Sequence, residues 1–191
     1  PGQGPKTRAA MPMNNSANAF SYLVSTLLDL YITAVMLRLL LQWVRADFYN
    51  PVCQFLIKVT NPALLPLRRV IPAVGRLDTA SIVLLLALEF FSVWIVSRIG
   101  SSPLSPAGIA AFSVTKLLAT LLVTYFILII ANVLLSWVAG RARHPVVPLV
   151  YQLTEPVLRP FRRVIPPIAG IDLSPVFALI GIRFLLLLLG W

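Results

Sequence analysis

Residues 50–78 read NPVCQFLIKVTNPALLPLRRVIPAVGRLD and residues 144–172 read HPVVPLVYQLTEPVLRPFRRVIPPIAGID, and the two align without a gap, each position with the one 94 further on. Pro51/Pro145, Thr60/Thr154, Pro62/Pro156, Leu64/Leu158, Pro66/Pro160, Arg68 to Pro72 with Arg162 to Pro166, and Asp78/Asp172 are identical. Identities in that order over an ungapped stretch point to duplication, and self-similarity at a fixed offset defines the building unit of a fold. Tyr31/Tyr125 and Trp43/Trp137 keep the same register. The unit therefore reaches back into the apolar stretch before each linker.

Those apolar stretches decide the solvent. Of the 191 residues 59% are hydrophobic and 12% charged, more apolar content than a soluble core of this size needs. Phe20 to Val44, at about 1.5 Å per residue, exceeds the roughly 30 Å hydrocarbon core. Thr79 to Ile99 and Phe112 to Ala139 meet the same test, and Ser174 to Trp191 stands at its lower limit. The predicted fold is all-α: a membrane protein with four transmembrane helices, arranged as two tandem parallel repeats of helix, amphipathic proline-rich linker and helix. Residues 19–99 form the first repeat and 112–191 the second, joined by a loop over 100–111. Residues 1–18, with Pro1, Gly2, Gly4, Pro5 and Pro12, are expected to be a disordered segment of vector origin.

Charge sets the orientation. The formal net charge is +10, and the linkers hold Arg45, Lys58, Arg68, Arg69 and Arg76 in one copy and Arg141, Arg143, Arg159, Arg162 and Arg163 in the other. Lys and Arg gather on the cytoplasmic side, which places both linkers there and both termini outside. The 100–111 loop (GSSPLSPAGIAA) carries no charge and suits the opposite side. Because each unit holds an even number of spans, the copies share one orientation about an axis along the membrane normal. Trp43 and Trp137 would mark the cytoplasmic interface, Trp94 and Trp191 the far one.

In each linker an amphipathic helix is expected to start at proline: Val52, Phe55, Leu56 and Val59 after Pro51, and Val146, Leu149, Val150 and Leu153 after Pro145. Pro62 or Pro156 should end it after about ten residues. Pro66, Pro72, Pro160, Pro166 and Pro167 should keep the next stretch extended at headgroup depth. Asp78 and Asp172 stand where a carboxylate caps the second helix of each unit or pairs with a linker arginine. Arg68, Arg69, Arg162 and Arg163 present guanidinium forks suited to lipid phosphate or to an acidic partner.

One cysteine, Cys53, and one histidine, His144, leave no disulfide framework and no Cys/His metal site within one chain. No P-loop, Rossmann fingerprint, serine-nucleophile motif or carboxylate pair is present, so no catalytic residue, metal or cofactor is assigned and an enzyme is not expected. The basic balance is not that of a nucleic-acid binder, which shows a wet face with aromatic platforms.

The duplicated TEPVLRPFRRVIPPIAGIDLSP pattern, through Thr154, Pro156, Pro160, Arg162, Arg163, Pro166, Gly170, Asp172, Ser174 and Pro175, closely resembles the signature of the YggT family (YGGT repeat, YlmG-like). The first copy departs from it with Asn61 for the acid, Gly75 followed by Arg76, and Thr79-Ala80-Ser81 for Leu-Ser-Pro. The resemblance implies a bacterial inner-membrane protein, in a family linked to osmotic-stress tolerance and to ion or potassium homeostasis, with plastid relatives linked to assembly of cytochrome complexes and to nucleoid organisation. It implies no common biochemical activity.

Charges inside the hydrocarbon layer are costly and are usually paired or functional, which singles out Asp29, Arg38, Glu89 and Arg183. Glu89 and Arg183 are repeat mates at offset 94 and would pair if the second helices met at the axis. Arg38 is close enough to Trp43 to snorkel to the headgroups; Asp29 could meet Arg38, Lys116 or a cation. Expected partners are anionic lipid, other membrane proteins and further copies of the chain. Two functions compete: an accessory or scaffold protein that organises membrane components, and an ion-homeostasis channel or transporter. The second would need a homo-oligomer, since four spans contain no potassium filter and few pore-suited polar groups.

Overall fold

A computed structural model describes residues 13–73, 78–99, 104–138, 144–165 and 172–191, and among them every regular element is helical. In order these are α1 (Met13–Trp43), α2 (Pro51–Val70), α3 (Thr79–Ile99), α4 (Pro106–Val138), α5 (Val146–Val164) and α6 (Ser174–Leu188). Sequence expectations at Arg76, Arg141, Arg143, Pro166, Pro167, Gly75 and Gly170 fall outside the described residues, as do residues 1–12. Residues 13–18, expected within the disordered segment, belong to α1.

Among the described residues three helices are long and apolar enough to cross a membrane: Asn18–Trp43 within α1, Thr79–Ile99, and Pro106–Trp137 within α4. Their outer faces bear exposed Phe20, Leu23, Leu27, Phe90, Ile127 and Leu134, a belt that water would not tolerate and hydrocarbon does. The fourth expected span is shorter than the sequence implied. α6 has 15 residues, about 22 Å at the helical rise. It stops because Gly190 adopts φ +81°, where Trp191 N–H reaches the Leu186 carbonyl and Gly190 N–H that of Leu187, closing a Schellman cap that glycine forms without a Cβ clash. At the other end of its unit, α4 starts six residues before the expected Phe112. Ser105 caps it through Oγ to Gly108 N–H at 3.1 Å, with Pro106 in the first turn.

The linkers also differ from expectation. α2 runs 20 residues through Pro62 and Pro66, and α5 runs 19 through Pro156 and Pro160; none of the four ends its helix. A helical proline removes one N–H and frees the carbonyl four residues back. Here the prolines come four apart, so the freed carbonyls share one face, and all four prolines are exposed. The opposite faces carry the packing: Cys53, Leu56, Thr60 and Leu64 on α2, and Leu149, Val150, Leu153, Thr154 and Leu158 on α5 are buried. Phe55 and Val59, part of the expected apolar stripe, point outward. Both linker helices thus fold back onto the bundle.

α1, α2 and α3 all pack on one another, and α4, α5 and α6 do the same. Between the two groups the main contact is α3 on α4. Leu149 and Leu153 of α5 also enter the core formed by Ile32, Val35, Leu56 and Leu64. Asn50 ties the linkers together: its side-chain oxygen caps Val52 N–H at 2.9 Å while its amide donates to the Pro145 carbonyl at 2.6 Å.

Candidate functional site

Two kinds of polar cluster stand out, one at the linkers and one within the long helices. At each linker the arginine near the end of the helix turns back to the aspartate ten residues on. Arg68 Nη2 donates to Asp78 Oδ2, and Asp78 accepts in addition from Ser81 Oγ at 2.6 Å at the start of α3. Asp78 is buried. Burial alone would push its carboxyl up, but the hydrogen bonds from Arg68 and Ser81 outweigh it and hold the group below the usual carboxylate range.

In the second unit Arg162 Nε donates to Asp172 Oδ2 at 2.9 Å and Nη1 to Glu155 Oε2 at 2.5 Å, while Ser174 N–H donates to Asp172 Oδ1 at 2.9 Å. This copy is open to solvent. Burial raises the Asp172 carboxyl less than the Ser174 N–H and Arg162 lower it, so it too sits below its ordinary value. Ser174 is buried inside the first turn and the N-cap position falls to Leu173.

A second matched contact lies deeper. Arg38 Nη1 donates to Thr60 Oγ1 at 2.6 Å, and Asn132 Nδ2, at the equivalent position 94 residues on, donates to Thr154 Oγ1. Each threonine hydroxyl also donates to the carbonyl one turn back, Leu56 at 2.6 Å or Val150 at 2.8 Å. Arg38 is buried and reaches the linker helix, where snorkelling to the headgroups was expected. Arg69 and Arg163 are exposed, as are Lys58 and Arg159, and together they face away from the bundle.

Within the long helices, Lys116 of α4 gathers two acids. Its Nζ lies 2.6 Å from Asp29 Oδ1 on α1 and 3.0 Å from Glu89 Oε2 on α3, and donates to Ser92 Oγ at 3.3 Å. Glu89 is fully buried and accepts from Thr120 Oγ1 at 3.4 Å on its other oxygen. The cluster borders a cavity of about 330 Å³ lined by Asp29, Thr33, Lys116, Thr120, Thr124 and apolar neighbours. An ammonium shared by two carboxylates lowers the cost of burying Lys116 and Glu89, while Asp29 keeps part of its side chain exposed.

The expected Glu89–Arg183 pair is not formed. α3 packs on α4, whereas α6 packs on α4 and α5, so the repeat mates lie against different neighbours. Arg183 is exposed and donates to the Trp191 carbonyl at 3.4 Å beyond the end of its own helix. Lys116, rather than Arg183, is the residue that sequence reasoning missed for Glu89. Among the described residues no group of three or more His, Cys, Asp or Glu is placed to hold a metal ion.

Long apolar helices with a lipid-compatible belt and cross-paired internal charges define an all-helical membrane protein. The family model for CCB3/YggT matches the chain twice, over residues 17–99 and 111–191. The chain is similar to an uncharacterized protein from the proC 3' region of Vibrio alginolyticus, 42% identical over 91% of this chain and 94% of the relative. It is also similar to the protein named YggT of Escherichia coli K12, 38% identical over 83% of this chain and 82% of the relative. A Haemophilus influenzae relative is 32% identical over 85% and 86%. No solved structure matches significantly. The chain belongs to the CCB3/YggT family.

Proposed function

We propose that the protein is a bacterial inner-membrane accessory or scaffold protein that helps organise or assemble membrane complexes, with a role in osmotic-stress tolerance. In this reading it crosses the membrane four times as two parallel units, with α2 and α5 on the cytoplasmic face and both termini outside. The observation that carries the reading is the pair of continuous linker helices. Each is pinned to the bundle by its buried face and by an Arg–Asp clamp, and each holds exposed cations outward where anionic lipid and acidic partner segments meet it. Rigid presentation of this kind lowers the ordering cost of docking. No reacting group or bound cofactor enters the account.

Photo-crosslinking residues placed at Arg69, Arg159 and Arg163 in living cells test it. Discrete protein adducts that disappear when neighbouring linker arginines are changed to glutamine are expected. Adducts to lipid alone, at all three positions, would remove the scaffold reading.

A second reading, a homo-oligomeric ion channel or transporter, is favoured by the charged cluster and cavity at Asp29, Lys116 and Glu89. Potassium flux from liposomes holding the purified protein decides it: flux lost in Lys116→Met supports conduction, and a flat trace across pH and voltage removes it.

A further inference from the structure

At the junction of α1, α2 and α3 a cavity of about 630 Å³ is lined by Arg38, Arg45 and Arg68, with Gln42, Asp78 and apolar neighbours. Its charge is unbalanced. The chain has only six acids, and of these only Asp78 lines the pocket. Asp29 and Glu89 hold Lys116, Asp78 holds Arg68, and Glu155 and Asp172 hold Arg162. Asp47 accepts from Tyr49 N–H at 2.9 Å. No carboxylate side chain lies within ion-pair distance of Arg38 or Arg45. Three guanidinium groups thus face one carboxylate, an excess of two positive charges around a concavity.

Arg38 is 7% exposed and, among the described residues, makes one hydrogen bond, to Thr60 at 2.6 Å, out of five available N–H donors. Holding an unpaired guanidinium there beside two others is unfavourable unless an anion joins them. The excess is not required by the architecture of the unit. In the second unit Asn132 takes the place of Arg38, and Glu155, in the place of Asn61, adds an acid to Arg162. Among the described residues, the same helical arrangement forms there with two acids on the one clamp arginine.

We propose that this pocket is a binding site for a phosphate oxyanion, with Arg38 and Arg45 as its principal ligands and Arg68 shared with Asp78. Arginine forks match phosphate oxygens two at a time. Arg38 lies five residues before Trp43, about 8 Å along the helix, so its long side chain is within reach of a phospholipid headgroup. The phosphate can belong to an anionic lipid or to a free phosphorylated solute. The site goes beyond the scaffold reading and stands without it, because binding is measured on the isolated protein.

The test is thermal unfolding of the full chain in neutral detergent, titrated with inorganic phosphate in one arm and with phosphatidylglycerol micelles in the other, at matched ionic strength. A ligand that binds the folded state raises Tm with concentration. At least one arm should raise Tm. The half-effect concentration should increase about tenfold in Arg45→Asn, a residue that tolerates the left-handed backbone at this position (φ 55°), and more in Arg38→Gln. Arg98→Gln, at the other end of the bundle, should match the parent. A response to phosphatidylglycerol alone identifies a lipid headgroup, and a response to inorganic phosphate a free anion. No shift in either arm, or an unchanged half-effect in Arg45→Asn, overturns the site; Arg45→Asn decides the matter even if Arg38→Gln does not fold.

Discussion

Lys116 Nζ stands 3.0 Å from Glu89 Oε2, and this contact joins the two units of the chain through α3 and α4. It has no counterpart at offset 94, where Tyr22 and Arg183 stand in place of Lys116 and Glu89. The internal charge cluster is therefore a feature of the junction and not of the repeat.

Removing one member of this cluster strands the others. Lys116→Met leaves Glu89 and Asp29 facing each other without a cation, and breaking a buried pair of this kind costs about 3–5 kcal/mol. The double variant Lys116→Met/Glu89→Gln should recover much of the loss. Unfolding in detergent measures both, and equal loss in single and double variants would place the lysine outside the pair.

The two Arg–Asp clamps should differ in strength although their sequences match. Asp78 is buried, with hydrogen bonds from Arg68 and Ser81; Asp172 and Arg162 are each more than a third exposed. Asp172→Asn should cost about 0–1 kcal/mol and less at high salt. Asp78→Asn should cost about 2–3 kcal/mol through the charged hydrogen bonds it weakens. Denaturation at two salt concentrations checks the contrast.

The same clamp fixes the sign of an acid dependence. The folded-state carboxyl of Asp78 lies below its ordinary value, so the unfolded chain takes up a proton first as pH falls. Its stabilising contribution is complete above about pH 4, the unfolded value, and is lost as pH falls through the lower folded value. Stability followed down to pH 3 should decline less steeply in Arg68→Gln than in the parent. Parallel curves would show that the clamp does not titrate in this window.

Prolines in the middle of α2 weaken the helix they occupy. Pro62→Ala restores a donor toward the carbonyl one turn back, and should raise stability by about 1–3 kcal/mol with no loss of helical circular dichroism. A destabilised variant would mean that the proline is needed to shape the linker.

The repeat, the three long spans and the residues of the clamps were legible in the sequence, because apolar length and identities at a fixed offset are local signals. Helix ends were harder. Ser105 and Pro106 form a start signal inside what the sequence presents as an uncharged loop, and the expected start at Phe112 leaves Lys116 only four residues into the helix. From its true start Lys116 lies ten residues in, and Glu89 lies ten residues before the end of α3. Both are about 15 Å deep, which makes them natural partners. Pro62 and Pro156 look like stops in the sequence because proline usually is one; their spacing of four to the next proline, on an exposed face, is the countersignal. Which helices meet between units depends on packing over the whole bundle, and no local pattern places α3 on α4 rather than on α6.

The proposed topology has two parallel units that hold both basic linker helices on one side of the membrane, with α6, 15 residues long, crossing it. Single cysteines at exposed positions 69 and 163, and one appended after Trp191, in a Cys53→Ala background, can be labelled with a membrane-impermeant maleimide in intact cells and in inverted vesicles. The linker positions are expected to react only in inverted vesicles and the terminal one only in intact cells. Reaction of the terminal cysteine on the same side as the linkers, or of the two linkers on opposite sides, would contradict it.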